Sequence, residues 1–119
     1  MRKHEVQIER VYDKPFSSHG TRFLVDRVWP RGVRKSALSG VTWLKDVAPT
    51  TPLRKWFGHD PTKWTKFRKR YSQELKKHPD AWEPLSEALQ KNDIVLLFGA
   101  RDKERNQAVV LKEFLERRD

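Results

Sequence analysis

Ile94-Val95-Leu96-Leu97-Phe98 is the stretch that most limits what this chain can fold into. Five consecutive apolar residues leave no face for water. The segment therefore reads as a strand covered on both sides, the pattern of a central strand in a sheet packed on both faces. It ends in Gly99-Ala100, where small residues let the backbone approach something closely.

A second apolar run, Phe23-Leu24-Val25, lies in a predicted strand over residues 22–27. It leads into the opposite charges of Asp26 and Arg27 and then the loop Trp29-Pro30-Arg31-Gly32, which has the composition of the floor and lip of a site. Residues 6–12 alternate, with Val6 and Ile8 on one side and Gln7 and Glu9 on the other, as in a strand with one wetter face. The loop between these two strands is shorter than the usual parallel crossover. An antiparallel pair and a compressed return of the chain both remain open. Strands 22–27 and 94–98 are separated by a long helical stretch, so parallel pairing between them is expected.

Residues 33–40 are weakly patterned, with Ser36 as a candidate helix cap, and residues 41–44 suit a short strand or the last turn of that helix. Thr51-Pro52 reads as a cap with proline at the first helical position, and Gly58 suits the end of that helix. Asp60-Pro61 repeats the start signal. Trp64, Phe67, Tyr71 and Leu75 then fall on one helical stripe, with lysines on the other faces, until His78-Pro79. Asp80 is the expected cap of the next helix, which turns Trp82, Leu85 and Leu89 inward and is kinked at Pro84. Asp102 is the expected cap of a last helix carrying Ala108, Val109, Val110, Leu111, Phe114 and Leu115.

The pattern predicts one α/β domain over residues 1–119, a small three-layer or two-layer sandwich with a mostly parallel short sheet flanked by helices. Apolar residues make up 36% of the chain, and five Trp, six Phe and two Tyr supply much of the core. Cysteine is absent, which excludes disulfides, thiolate metal sites and a thiol nucleophile. No apolar segment is long enough to span a membrane, and the polar N-terminus does not read as a signal peptide, so a cytoplasmic setting is expected. The formal charge of +10 favours anionic partners, either a small molecule or nucleic acid.

Ligands in open α/β sheets bind beyond the carboxyl ends of the strands. Asp26, Arg27, Trp29, Arg31, Arg101, Asp102 and Asn106 are placed there by sequence, and Tyr12 and Asp13 join them if the first strand is parallel. Arg27, Arg31 and Arg101 offer guanidinium forks for a phosphate or carboxylate. Asp26 and Asp102 are candidates to orient those arginines or to move protons, and Asn106 to orient ligand. His59 is a candidate general acid or base, because an imidazole titrates near neutrality. Each also has a structural role to offer: Asp26 and Arg27 as a strand-end ion pair, Trp29 as core, Asp102 as a cap. No Walker loop, dinucleotide fingerprint, nucleophile elbow or metal-ligand spacing is present, so the sequence names no cofactor and no metal.

Several motifs resemble one family: Arg10-Val11-Tyr12, Leu24-Val25-Asp26-Arg27 with Trp29-Pro30-Arg31-Gly32, Trp43-Leu44-Lys45-Asp46, Leu53-Arg54-Lys55-Trp56-Phe57-Gly58-His59-Asp60, and Asn106 with Ala108-Val109-Val110-Leu111. In this order and density they resemble the YeaO-like proteins, small bacterial and archaeal members of a larger domain-of-unknown-function superfamily. The resemblance implies a compact α/β domain in the cytosol and no established activity. In the broader superfamily the region resembling residues 97–106 carries a cysteine and a Cys-His-Arg cluster. This chain has Phe98-Gly99-Ala100 and Arg105-Asn106-Gln107 there, so only the rim location carries over. The expected function is binding of a phosphorylated or other anionic ligand, such as a nucleotide or a nucleic-acid end, at the strand rim, with or without turnover. The alternative is a non-catalytic nucleic-acid module that uses the basic helix face and exposed tryptophans.

Overall fold

The computed structural model describes residues 4–16 and 18–117. Among these residues four strands, β1 (Val6–Arg10), β2 (Thr21–Leu24), β3 (Thr42–Trp43) and β4 (Ile94–Phe98), form one sheet in the order β1-β4-β2-β3, with every pairing parallel. Four α-helices accompany it: α1 (Thr51–Phe57), α2 (Trp64–Lys77), α3 (Pro79–Lys91) and α4 (Gln107–Arg117). The fold is α/β. Among the described residues no helix is long and apolar enough to cross a membrane.

β4 is central because none of its residues can face water. All five are at most 1% exposed. Val6 of β1 and Thr21 of β2 both align with Ile94, one on each side of β4. β1 and β2 are therefore parallel and not paired with each other. The chain returns through residues 11–20, and so short a crossover works because Phe16 packs directly on the sheet with Val11, Leu24, Val95 and Leu97.

The two faces are covered differently. Val6, Phe23, Val25, Ile94, Leu96 and Phe98 share the main core with Leu53 and Phe57 of α1, Phe67, Tyr71 and Leu75 of α2, and the buried faces of α3 and α4. The opposite face is closed by Phe16, Trp29, Val33, Leu38 and Val41, from loops and a single 3₁₀ turn at Lys35–Leu38. The sandwich thus has two regular layers and a loop cover. Tyr71 ties α2 to the loop before α1, its hydroxyl donating to the Val47 carbonyl at 2.6 Å. Burial pushes that phenol's pKa up, and the nearby Glu74 adds to the shift.

Several boundaries differ from expectation, each for a local reason. β2 stops at Leu24, since the Val25 N–H makes the last rung to Leu97 O at 3.0 Å, and Asp26 and Arg27 lie past the sheet. β1 stops at Arg10, where an Asp13 N–H to Arg10 O bond turns the chain. Residues 41–44 hold the two-residue edge strand β3, fixed by Leu44 N–H to Leu24 O at 2.9 Å. The cap of α1 is Thr50, whose hydroxyl accepts from Leu53 N–H, so Thr51 is already helical. Ser36 lies inside the 3₁₀ turn and is not its cap. Asp60 does cap, accepting from the N–H and hydroxyl of Thr62, but it opens a 3₁₀ turn, Pro61–Lys63, that runs into α2.

Asp80 is not a cap. α3 begins at Pro79, whose preset φ and missing N–H suit a first helical position, and Asp80 falls in the first turn. Pro84 sits inside α3 early enough that its lost bond concerns only that exposed turn. Asp102 does not cap α4 either. The cap is Asn106, whose Oδ1 accepts from Val109 N–H at 3.1 Å.

Candidate functional site

The parallel sheet sends three strand ends to one rim. β1 delivers Val11 and Tyr12, β2 delivers Asp26 and Arg27, and β4 delivers Gly99 and Ala100. Between them and α1 lies a cavity of about 240 Å³. Tyr12, Asp26, Arg27, Arg31, His59 and Asn106 line it, as do Arg54 and Gln107.

Asp26 is the polar centre of this cavity. Its Oδ2 accepts from Gly99 N–H at 2.9 Å, and its Oδ1 accepts from the Gln107 side-chain amide. Trp43 reaches over from β3 to donate its indole N–H to the Asp26 carbonyl at 2.7 Å. Burial pushes the carboxyl pKa up to about 6, against the opposing pull of the Gly99 and Gln107 hydrogen bonds and the Arg54 charge. The close approach requires glycine at position 99, because a Cβ there would stand 2.8 Å from Asp26 Oδ2.

Arg27 does not pair with Asp26. Its Nε donates to Pro49 O and its Nη2 to Ala48 O, both at 3.0 Å, so the guanidinium pins the loop before α1 as one wall. Tyr12 donates its hydroxyl to Arg31 O at 2.7 Å and carries the Arg10 guanidinium 4.7 Å from its ring centre. Arg10 Nε in turn donates to Ala100 O at 2.9 Å. Arg10 and Tyr12 thus tie the ends of β1 and β4 to the Trp-Pro-Arg-Gly loop and leave the Arg31 side chain at the exposed lip. His59 follows Gly58 with φ 58°, so two successive left-handed residues set its exposed ring at the rim, 6.3 Å from Phe57.

Three expected residues lie elsewhere. Trp29 faces the loop-covered side of the sheet, where its indole donates to Val33 O and its ring meets Trp43 edge-on at 5.3 Å. Arg101 is exposed and does not line the cavity. Asp102 is also outside it, accepting from the Glu104 and Arg105 N–H groups and from the Arg105 guanidinium. Those bonds, that of Glu104 first, hold its carboxyl below the usual range. Asn106 reaches the cavity wall, but its amide is engaged with Asp102 O and Val109 N–H.

Arg54 and Gln107 were missed by sequence reasoning. Arg54 sits on the first short helix, where an arginine reads as solvated surface. Gln107 stands one position beyond Asn106, and only the helix start at 107 turns it toward Asp26. Three arginines, Arg27, Arg31 and Arg54, and one carboxylate, Asp26, line the cavity, a surplus of two formal positive charges with Asp26 ionised.

Among the described residues no group of three or more His, Asp or Glu side chains could hold a metal ion. Asp13 pairs with Lys103 at 2.6 Å and with Arg10 at 3.7 Å, away from Asp26. The tryptophans offer little to stack on. Of the five only Trp43 is exposed, at 38%, and Trp56 already carries Arg70 at 4.4 Å and Lys63 at 5.2 Å. The exposed indoles expected of a nucleic-acid module are thus mostly covered.

Residues 5–118 match the family model described as the inactive DUF488-N3 subclade. The chain belongs to this family. It is 38% identical over 110 residues to the uncharacterised protein YeaO of Escherichia coli (strain K12), covering 92% of this chain and 96% of that protein. It is 35% identical over 119 residues to uncharacterised proteins of Mycobacterium bovis and Mycobacterium tuberculosis, covering 99% of each partner in the comparison. The YeaO-like resemblance therefore holds across nearly the whole chain. No solved structure matches.

Proposed function

We propose that the rim cavity binds a small phosphorylated or otherwise anionic ligand, such as the phosphate of a nucleotide or of a nucleic-acid end. The observation that carries this reading is the convergence of Arg27, Arg31 and Arg54 on a cavity whose one carboxylate is kept partly neutral near pH 6 by burial. Arg31 and Arg54 hold the anion through paired N–H groups. Arg27 adds charge while fixing the wall. Asp26 accepts a hydroxyl or amine of the ligand when ionised and tolerates its negative charge when protonated. A volume of about 240 Å³ lies below the roughly 300–1,000 Å³ of drug-sized sites, which suits a phosphate with a small attached group. The lining has no thiol, lysine or aliphatic hydroxyl, and Asp26, His59 and Tyr12 are its groups able to act as nucleophile, acid or base. The matched subclade is described as inactive, which favours binding over turnover.

Thermal-shift measurements with inorganic phosphate, nucleotides and sugar phosphates at low and high salt test this reading. A bound ligand raises the melting temperature by mass action, by the equivalent of about 2.7 kcal/mol at a hundredfold excess over Kd. The expected result is a shift that persists in high salt and is lost in Arg31→Ala and Arg54→Ala proteins that remain folded. An equal shift in those variants, or none with any of these anions, refutes it. Recovery of a chemically altered ligand would add turnover to binding.

A further inference from the structure

Asp26 sets a carboxylate in the wall of a cavity that three arginines otherwise make attractive to anions. No ion pair cancels that charge. Among the described residues no lysine, arginine or histidine pairs with Asp26, and Arg27 beside it is spent on the Ala48 and Pro49 carbonyls. The carboxylate's bonds come from the Gly99 N–H and the Gln107 amide. An ionised carboxylate has about four lone-pair sites and donates nothing, so about two acceptor sites stay open. If round, the cavity of about 240 Å³ is about 8 Å across, so any anion inside it lies within about one Debye length of Asp26 and feels its charge.

Two anionic groups so close repel unless a proton lies between them. Inorganic phosphate brings one, because it keeps a P–O–H group throughout the neutral range. Sulfate brings none. Phosphate can donate its hydroxyl to the ionised Asp26 while its other oxygens accept from Arg31 and Arg54. Sulfate meets the bare carboxylate and binds well only once Asp26 itself holds a proton. A site built around a hydrogen bond strongly rejects the analogue that lacks the hydrogen. We infer that Asp26 is the specificity-determining residue of the rim cavity, selecting phosphate, an oxyanion that carries its own proton, over sulfate, which does not. The inference rests on the anion reading of the cavity and narrows it to phosphate, free or as a monoester that still holds its proton.

The Asp26 carboxyl titrates at about 6, raised chiefly by burial. At pH 7.5 protonating it for sulfate costs about thirtyfold in affinity, one and a half pH units, and at pH 5 the proton is already in place. The charged and titratable groups that share the cavity with Asp26 are Tyr12 past the end of β1, Arg27 and Arg31 past β2, Arg54 of α1 and His59 beyond it, while β4 and α4 contribute neutral residues such as Gln107. All of these remain in Asp26→Asn, so their effects cancel when the two proteins are compared at one pH.

The test titrates the full chain and Asp26→Asn with potassium phosphate and potassium sulfate at pH 7.5 and 5, at constant ionic strength. Dissociation constants are read from the rise in melting temperature. The parent is expected to bind phosphate at least tenfold more tightly than sulfate at pH 7.5. In Asp26→Asn that preference is expected to fall below threefold. Sulfate affinity of the parent relative to the variant is expected to rise at least tenfold between pH 7.5 and 5. The parent's own preference at pH 7.5 needs no variant to be read. Equal binding of the two anions by the parent at pH 7.5, or an undiminished preference in Asp26→Asn, would overturn the inference and leave the rim cavity an anion site. Binding of neither anion at either pH would overturn the anion reading and this inference with it.

Discussion

Asp26 offers the sharpest check on this account, through the pH dependence of Asp26→Asn. The carboxyl titrates at about 6 in the folded protein against an ordinary value of 3.8, because burial disfavours its charge more than the Gly99, Gln107 and Arg54 contacts restore it. A folded-state pKa that is raised gives stability that is complete below the unfolded value and lost as pH climbs through the folded one. Below pH 3.8 both states hold the proton. Between about 4 and 6 only the folded state does, so stability falls by about 1.4 kcal/mol per pH unit. Above 6 the loss levels off at about 3 kcal/mol, two units at that rate.

Asparagine cannot ionise. Its carbonyl can accept from Gly99 N–H, and a flipped Gln107 amide can accept from its NH₂ group, so the cavity is filled as before. The other titrating groups are common to both proteins and cancel in the difference. Urea unfolding at pH 3.5, 5 and 7.5 should therefore show the stability difference, variant minus parent, growing by about 3 kcal/mol across the series in favour of the variant. Any geometric cost of the amide is a constant offset and leaves that growth intact. A difference constant within about 0.5 kcal/mol from pH 3.5 to 7.5 would refute the buried, charge-disfavoured carboxylate.

The remaining predictions concern the walls. Gly99→Ala should lower stability by about 1–3 kcal/mol, because the new Cβ displaces Asp26 Oδ2 from 2.8 Å and breaks its bond to the Gly99 N–H, and the loss should be read by denaturant melts at pH 7.5. Arg27→Ala should cost about 2–4 kcal/mol by leaving the Ala48 and Pro49 carbonyls unpaired, and Arg27→Lys should recover only part of it, since one ammonium cannot reproduce the guanidinium's two directed bonds. Tyr71→Phe should cost about 1 kcal/mol through loss of the bond to Val47 O, without altering any ligand-induced shift at the rim. Asn106→Ala should fray the start of α4 at a cost of about 1 kcal/mol, detectable as faster amide exchange at Val109.

The sequence by itself determined the apolar centre and the rim. An unbroken run such as Ile94 to Phe98 can only lie between two covered faces, and the charges of Asp26 and Arg27 must leave the sheet, as they do past the end of β2 at Leu24. Helical periodicity placed Phe67, Tyr71 and Leu75 inward, and Gly58 ended its helix in the left-handed conformation that glycine adopts without strain. The parallel pairing of β2 with β4 was legible, but tertiary structure alone decided where β1 sits, because a short crossover can lead to an adjacent strand or over one, and here Phe16 settles on the far face with β4 between. It also decided the partners of each charge. Asp26 and Arg27 are adjacent in sequence yet diverge past the last rung of the sheet, one toward Gly99 and Gln107, the other toward Ala48 and Pro49. Arg54 and Gln107 enter the cavity from helices remote in sequence, and no local pattern distinguishes a polar side chain aimed at a buried carboxylate from one aimed at water.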